Sequence, residues 1–328
     1  MFTKPRVVIS KCIEFEPVRY NGQIISSDFV RELIKHVKAI PVCPEVGIGL
    51  SVPRDTLRLV KIDDDIRLIQ PKTRKDYTEE MKSFAENFFN ELGEVDGFIM
   101  RSSSPSSGIT RVKIYSGIEK SPMLGFGRGI FGGMILEKYG NLAVEEDLRL
   151  KHGAIREHFL RKLYILSDFR AAKQEKSMKK LVDFHTRNKV QLKAYNQKQM
   201  RILGRIVANH EHYETEKLYD LYEPVLYEAL KRAPRYTSYI NVLMNSLGYF
   251  SRDLTSEEKQ FFLKQLELYR EGRIPLVVPV DIMRSWIIRT GEKYLGDQTF
   301  FKPYPEELMD VEAIVEARGE RDYWKNLE

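Results

Sequence analysis

The chain has 328 residues, of which 42% are hydrophobic and 30% are charged, and it contains 2 cysteines. This length favours two domains over one. No apolar stretch reaches the length of a membrane span and the N-terminus has no signal-peptide pattern, so we expect a cytoplasmic protein with no membrane partner. Two cysteines in so long a chain exclude a disulfide scaffold. Both thiols are therefore available for packing, metal binding or catalysis.

The formal net charge is +6, and it is distributed unevenly along the chain. Between Lys151 and Arg205 the sequence has 15 Lys or Arg residues against 4 Asp or Glu residues. Such a basic segment is typical of proteins with a polyanionic partner, most often a nucleic acid. A solvated helical surface in a lysine-rich protein is the alternative interpretation.

Up to about residue 150, short apolar runs alternate with helical stretches. The patterns predict strands at residues 6–10, 57–60, 66–70, 97–100 and 111–115 and in the run ending at Cys43, and helices at 29–38, 76–92 and 131–139. Strands that alternate with helices indicate an α/β domain. We therefore predict an N-terminal domain at residues 1–150 with a mostly parallel, Rossmann-like sheet covered on both faces.

After residue 150 the strand signal fades and helical periodicity dominates. The predicted helices span residues 152–164, 176–195, 200–210, 216–231, 240–249, 256–269 and 280–294, with prolines between or within them. These patterns predict an all-α C-terminal domain at residues 151–328.

Three apolar runs of the first domain break into polar turns that contain chemically reactive side chains. The first run ends at Cys12, the second at Cys43, and the third leads into a serine-rich loop at residues 102–107. If the three runs are neighbouring parallel strands, the turns meet at one edge of a sheet, where open α/β folds bind ligands. A buried cysteine that only fills space is the alternative for each thiol.

Charged side chains lie close to these turns in sequence. Glu45 follows Cys43 by two residues and can move protons, unless it only forms an ion pair with Arg54 or Arg19. Arg19 precedes a tight turn at Asn21 and could bind a carboxylate or a phosphate. The hydroxyl groups of the serine loop could bind an anion or polarise a substrate oxygen.

Several common catalytic and cofactor motifs are absent. The sequence has no Walker motif, no His-Glu-x-x-His, no paired Cys-x-x-Cys and no Gly-x-Ser-x-Gly. A dinucleotide-binding motif needs a strand before its glycines and an acidic residue at the end of the βαβ unit. The glycines at positions 125, 127, 129 and 132 have neither, so we expect no dinucleotide cofactor. A mononuclear metal hydrolase is disfavoured because no His and carboxylate set has ligand spacing.

Taken together, the motifs of the first 115 residues or so resemble those of the thiouracil desulfidase (TudS-like) family. They are Ser10-Lys11-Cys12, Arg19-Tyr20-Asn21-Gly22, Val42-Cys43-Pro44-Glu45, Gly49-Leu50, Pro53-Arg54, Asp96-Gly97 and Ser104-Pro105-Ser106. The resemblance implies a 4Fe-4S cluster held by three cysteines, whose open iron takes the sulfur of a thiolated pyrimidine. Water then replaces that sulfur at carbon, without net electron transfer.

The resemblance also implies roles for individual residues. It makes Cys12 and Cys43 cluster ligands, with Ser107 at the position where the family has its third cysteine. It makes Glu45 and Ser104 catalytic, and it assigns substrate binding to Arg19, Asn21, Arg54 and Ser106. A hydroxyl ionises less readily than a thiol and is a harder ligand. Two outcomes are therefore open: a labile cluster, with Glu45 as another candidate ligand, or a site that binds without a cluster.

The second half resembles the YbgA-like domain that often follows a desulfidase domain. Matching segments include His185-Thr186-Arg187-Asn188-Lys189, Leu203-Gly204-Arg205, Asn241-Val242-Leu243, Gly248-Tyr249-Phe250 and Pro303-Tyr304-Pro305. The resemblance implies RNA binding, with thiolated tRNA as the partner. The candidate RNA-binding residues are Arg187, Lys189, Lys193, Arg201 and Arg205. Two alternatives are open for the aromatic side chains, which either stack on bases or pack the helical core: Tyr195, Tyr213, Tyr236 and Tyr239. His185 is expected to be a structural histidine.

The leading hypothesis is therefore a desulfidase of the carbon–sulfur hydrolase type. It would replace the sulfur of 4-thiouridine in tRNA by oxygen, using a cluster in the first domain and a basic helical domain that holds the RNA. The alternative is a cluster-deficient protein of the same fold that binds thiolated tRNA.

Overall fold

The computed structural model describes residues 2–309, which form two compact units. One unit comprises residues 2–167 and 305–309, and the other is Asp168–Tyr304. The domain limits at residues 150 and 151 stay a prediction. Residues 310–328 of the predicted second domain lie outside the described residues.

The described part of the first unit contains a parallel sheet and a mixed sheet. Its strands are β1 (Arg6–Ser10), β2 (Lys38–Val42), β3 (Arg58–Ile62), β4 (Asp65–Gln70), β5 (Lys75–Asp76), β6 (Gly97–Met100), β7 (Val112–Tyr115), β8 (Met123–Gly127) and β9 (Ala143–Glu146). The parallel sheet has the order β2-β1-β6-β9, and the mixed sheet has the order β5-β4-β3-β7-β8. The prediction of an α/β domain with a mostly parallel sheet is confirmed.

Residue pattern explains why the first sheet is central. Two of its strands are almost continuously buried: β1 has Val7, Val8 and Ile9 at 0% exposure, and all of β6 is buried. Uninterrupted apolar strands of this kind are covered on both faces. The neighbouring pairs β1–β2, β1–β6 and β6–β9 are all parallel.

The helices of this unit cover the sheets. They are α1 (Asp28–His36), α2 (Pro44–Gly47), α3 (Thr78–Glu91), α4 (Ile130–Tyr139) and the first part of α5 (Gly153–Gln174). Helix α1 begins after Ser27, whose hydroxyl accepts a hydrogen bond from the Val30 amide. Phe131 of α4 is fully buried and packs against Phe84, Phe88 and Phe89 of α3.

The second unit is helical throughout its described residues. Besides the end of α5 it contains α6 (Met178–Tyr195), α7 (Gln197–Ala208), α8 (Thr215–Ala229), α9 (Tyr236–Leu247), α10 (Ser256–Arg270), α11 (Val277–Thr290) and α12 (Lys293–Gly296). Its core includes Phe250, Phe262 and Trp286, with the Trp286 ring against both phenylalanines. The predicted all-α region is confirmed. Within residues 2–309, every helix is too short or too polar to cross a bilayer.

Candidate active site

Three neighbouring strands bring the predicted site residues to one edge of the parallel sheet. Strand β1 lies between β2 and β6, and all three run in the same direction. The turns that follow them therefore meet at the carboxyl edge, as the sequence predicted. A backbone hydrogen bond of 2.7 Å from the Lys11 amide to the Val42 carbonyl joins the first two turns directly.

A cavity of about 210 Å³ lies at this edge. Its wall includes eight of the predicted site residues, namely Cys12, Arg19, Cys43, Glu45, Arg54, Ser104, Ser106 and Ser107. Asn21 is not part of the wall; it is exposed, and its side-chain amide donates to Gln23 at 2.7 Å. The structure thus brings together every predicted residue of the first domain except Asn21.

The two thiols are close enough to influence each other. The pKa of Cys12 is raised to about 12, first by burial and next by the neighbouring Cys43, whereas Arg101 opposes the rise. Burial also raises the pKa of Cys43. Paired buried thiols of this kind remain protonated unless a cation compensates the thiolate charge. The cavity therefore offers two adjacent soft donors.

A chain of hydrogen bonds runs from Arg54 to the serine loop. Both Nε and Nη2 of Arg54 donate to Glu45 Oε2, the Nε bond being 2.7 Å long. The other carboxylate oxygen, Oε1, accepts a 2.6 Å hydrogen bond from the Ser106 hydroxyl. That hydroxyl lies 2.9 Å from the hydroxyl of Ser104. Glu45 thus forms the ion pair with Arg54 and also connects to the hydroxyls, and its role in moving protons stays a prediction.

Helix α4 holds the serine loop in place. Its first amides satisfy loop carbonyls: Gly129 donates to Gly108 at 2.8 Å and Gly132 donates to Ser106 at 3.0 Å. A Cβ on Gly129 would lie 2.5 Å from the Ser106 carbonyl oxygen, so only glycine allows this approach. Part of the glycine cluster that fails as a dinucleotide motif therefore positions the loop.

Two buried carboxylates at the end of β9 also fix the loop, and the sequence did not single them out. Asp147 accepts from the Ser102 amide at 2.8 Å and forms an ion pair with Arg101, which lines the cavity. Glu146 is 3% exposed and accepts hydrogen bonds from the amides of Ile109 and Thr110. The only signal in the sequence was a Glu-Asp pair after a short apolar stretch.

Arg19 lies at the wall of the cavity, with its guanidinium 5.4 Å from the centre of the Tyr20 ring. The carbonyl of Tyr20 accepts a 2.7 Å hydrogen bond from the Arg54 amide. The segment carrying Arg19 is therefore tied to the segment carrying Arg54. This contact places two guanidinium groups at one cavity.

The donor set fits an iron–sulfur cluster whose ligands are two thiolates and one hydroxyl oxygen. Cys12, Cys43 and Ser107 line the same cavity, and Ser107 is 4% exposed. In residues 2–309, no three His, Cys, Asp or Glu side chains are grouped closely enough to hold a metal ion. The assignment of Ser107 as the third ligand, with Glu45 as the alternative, stays a prediction.

The predicted RNA-binding residues lie on two consecutive helices of the second unit. Arg187, Lys189 and Lys193 belong to α6, and Arg201 and Arg205 belong to α7. Four of the five are exposed and Lys193 is half-buried. Arg187 forms an ion pair of 3.0 Å with Asp168. Their role stays a prediction.

The aromatic candidates of the second unit divide by exposure. Tyr213 and Tyr236 are exposed at 46% and 52%, and Tyr195 is half-buried. Tyr239 is buried in the helical core, so the interpretation of this residue as a base-stacking side chain is wrong. His185 is also buried and lies 3.0 Å from the Tyr222 hydroxyl, and burial lowers its pKa to about 4. It is a structural histidine, as expected.

Comparison with known proteins identifies both parts of the chain. Residues 7–147 match the family model described as 2-thiouracil desulfurase. Residues 189–305 match the model described as protein of unknown function DUF1722. The N-terminal part is therefore a domain of the 2-thiouracil desulfurase type, and the chain joins it to a DUF1722 domain. The resemblances drawn from the sequence motifs are confirmed.

Individual proteins are similar to parts of the chain. The chain is 28% identical over 129 residues to "Uncharacterized protein YbgA" of Escherichia coli (strain K12), covering 39% of this chain and 76% of that protein. It is 33% identical over 54 residues to "Uncharacterized protein YbbK" of Bacillus subtilis (strain 168), covering 16% of this chain and 36% of that protein. The solved structure of the [4Fe-4S]-dependent thiouracil desulfidase TudS is 26% identical, with 45% of this chain and 93% of that chain covered and a TM-score of 0.37.

Proposed function

We propose that the protein is a desulfidase that converts 4-thiouridine in tRNA to uridine by hydrolysis. The thiocarbonyl carbon gains the oxygen of one water molecule, and the sulfur leaves as hydrogen sulfide. The carbon–sulfur bond breaks and a carbon–oxygen bond forms, with no net oxidation or reduction of the base. The match of residues 7–147 to the 2-thiouracil desulfurase family supports this reaction class. The tRNA substrate is supported by the basic segment at residues 151–205.

One observation carries the proposal: thiols, a carboxylate and hydroxyls meet at a single cavity. Cys12 and Cys43 lie in its wall together with Glu45 and Ser104. These groups come from the turns after three neighbouring parallel strands. Soft donors beside a group that can transfer protons are what sulfur removal by water requires.

The hydrogen-bond chain supplies a route for protons. Glu45 Oε1 accepts the proton of the Ser106 hydroxyl, and Ser106 in turn lies within hydrogen-bond distance of Ser104. A proton taken from the attacking water at Ser104 can therefore pass through Ser106 to the Glu45 carboxylate, and return to the departing sulfur. Arg54 fixes the orientation of the carboxylate by donating twice to its other oxygen.

Cys12, Cys43 and Ser107 would hold a 4Fe-4S cluster at this cavity. When bound, the cluster supplies a soft Lewis-acidic iron for the substrate sulfur. Arg19 and Arg54 add positive charge to the same wall and would orient the substrate.

Ser107 also favours a second candidate function, a protein that binds thiolated tRNA without a cluster. A serine hydroxyl is a weaker iron ligand than a thiolate because it ionises less readily. With two thiols in the cavity wall, the site would then recognise the thiolated base without removing its sulfur.

Anaerobic reconstitution with iron and sulfide separates the two candidates. The desulfidase is expected to bind both elements, to remove the thiouridine absorbance of thiolated tRNA and to release sulfide in equal amount. Salt-dependent tRNA binding without sulfide release would instead support the binding protein. A folded protein that neither binds tRNA nor releases sulfide would contradict both.

A further inference from the structure

The hairpin formed by β7 and β8 is directly connected to the serine loop. Among the described strands β8 forms the edge of the mixed sheet and pairs only with β7. The hairpin starts four residues after Gly108, and it ends two residues before Gly129. The Gly129 amide donates to the Gly108 carbonyl at 2.8 Å. Both ends of the hairpin are therefore anchored at the candidate active site.

One face of this hairpin exposes large apolar side chains. Leu124 is exposed at 56% and Phe126 at 47%. Gly127 faces the other way, since a Cβ there would meet the Ile114 side chain at 2.7 Å. Lys113 is the register partner of Phe126, so it shares the exposed face with the ring.

Basic side chains surround the exposed ring. The Arg111 guanidinium lies over the Phe126 ring at 4.5 Å from its centre, and Lys113 and Arg128 are exposed nearby in the chain. In residues 2–309, none of these three cations forms an ion pair with a carboxylate. At the hairpin tip, by contrast, Arg74 pairs with Glu119. The hairpin face, defined as Arg111, Lys113, Leu124, Phe126 and Arg128, thus combines an aromatic platform with uncompensated positive charge.

This combination matches the chemistry of an unpaired RNA strand. Aromatic side chains stack on bases whatever their sequence, and Lys and Arg neutralise the phosphates between them. A second protein would bury the apolar side chains equally well, but it would leave the cations without partners unless it were acidic. Three uncompensated cations beside one ring therefore favour the polyanion.

We propose that the hairpin face binds the single-stranded RNA that flanks the thiolated base. The proposal rests on the proposed function, because it assigns the tRNA substrate a contact on the desulfurase-type domain in addition to the helical unit. A base presented to the cavity must be unstacked from its neighbours, and the exposed ring next to the serine loop offers those neighbours a stacking surface.

The test measures binding of an unmodified tRNA transcript to the full chain, so it depends on neither cluster nor sulfur. The double variant Lys113→Gln/Arg128→Gln is compared with Lys38→Gln/Lys138→Gln, which removes two exposed cations elsewhere in the same unit. The hairpin variant is expected to weaken binding and to reduce the slope of log K against log salt by about 1.4 to 1.8. The control is expected to keep the slope of the unchanged protein. Phe126→Ser is expected to weaken binding about 5- to 150-fold, since stacking contributes about 1–3 kcal/mol per base.

Each result is decisive for the hairpin face. Equal slopes for the hairpin variant and the control would overturn the proposal, as would the absence of any tRNA binding. If Phe126→Ser lowers the molecular mass of the protein in solution but leaves its affinity for tRNA unchanged, the hairpin face is a contact between copies of the chain. That result would overturn the proposal. tRNA binding that responds to the hairpin variants without sulfide release would support the hairpin face while rejecting the desulfidase.

Discussion

The hydroxyl of Ser106 donates a 2.6 Å hydrogen bond to Oε1 of Glu45, across 61 residues of sequence. This bond joins the turn after β2 to the loop after β6, on either side of the central strand β1. Ser106 is 1% exposed and also lies 2.9 Å from the hydroxyl of Ser104, so it connects the carboxylate to that hydroxyl.

If protons pass through Ser106, its hydroxyl must be needed for turnover and not for cluster assembly. Ser106→Ala is therefore expected to lower kcat about 100-fold, with little change in bound iron, since general acid–base groups contribute about 10²- to 10⁴-fold. Ser51→Ala is a matched control, because Ser51 is exposed and its hydroxyl bonds only its own turn at Pro53. Loss of iron in parallel with activity in Ser106→Ala would reject the relay.

Glu45 has two candidate roles, proton carrier and cluster ligand, and one substitution distinguishes them. Glu45→Gln keeps the size of the side chain but cannot carry the proton. If Glu45 carries the proton, the substitution is expected to lower kcat about 10²- to 10⁴-fold, while the iron and sulfide content stay the same. The check is iron and sulfide analysis of the anaerobically reconstituted variant beside its steady-state kinetics. A fall in iron content would instead make Glu45 a ligand.

The strands that position the site could be predicted because their signals are local. β1 and β6 are apolar runs that end at polar turns, and their tails hold Cys12 and the serine loop. Their order in the sheet needed one further assumption, that the runs are parallel neighbours, and this assumption is confirmed.

Three strands, β5, β8 and β9, were missed, and the last two form despite weak local signals because tertiary contacts stabilise them. β8 contains two glycines, and β9 is four residues long with two glutamates. Glycine and glutamate both disfavour strands on average. In β9 the buried Glu146 is satisfied by the amides of Ile109 and Thr110, which lie 37 and 36 residues away in sequence.

The limits of α11 show how proline can mislead. The prediction began this helix at Val280, because Pro279 was read as a boundary, but the helix starts at Val277. Proline is tolerated in the first turn of a helix, where its missing amide has no helical partner to lose.

The residue at position 107 limits how firmly a cluster is held. Ser107→Cys would place a third thiol in the wall that already contains Cys12 and Cys43. We expect more iron and sulfide per chain, slower loss of the cluster in air, and a matching rise in sulfide release, since thiolate is the softer ligand. Ser107→Ala is the paired variant and is expected to bind less iron than the unchanged protein. If Ser107→Cys gains no iron and Ser107→Ala loses none, position 107 does not contribute a ligand.

The loop that carries Ser104 and Ser106 depends on the buried carboxylate of Glu146. Its oxygens accept from the amides of Ile109 and Thr110 at 2.7 and 2.9 Å and from the Thr110 hydroxyl at 2.8 Å. Glu146→Gln removes the negative charge, so the two backbone amides bond a neutral oxygen, while the Thr110 hydroxyl can turn to accept from the new amide nitrogen. We expect the free energy of unfolding to fall by about 2 kcal/mol, the range for hydrogen bonds to a charged group.

Glu145→Gln makes the same change in charge one residue earlier, but Glu145 pairs with the half-exposed Arg149, so the loss should stay below about 1 kcal/mol. Denaturant unfolding of both variants measures the difference, and equal losses would show that the loop does not rely on the Glu146 carboxylate.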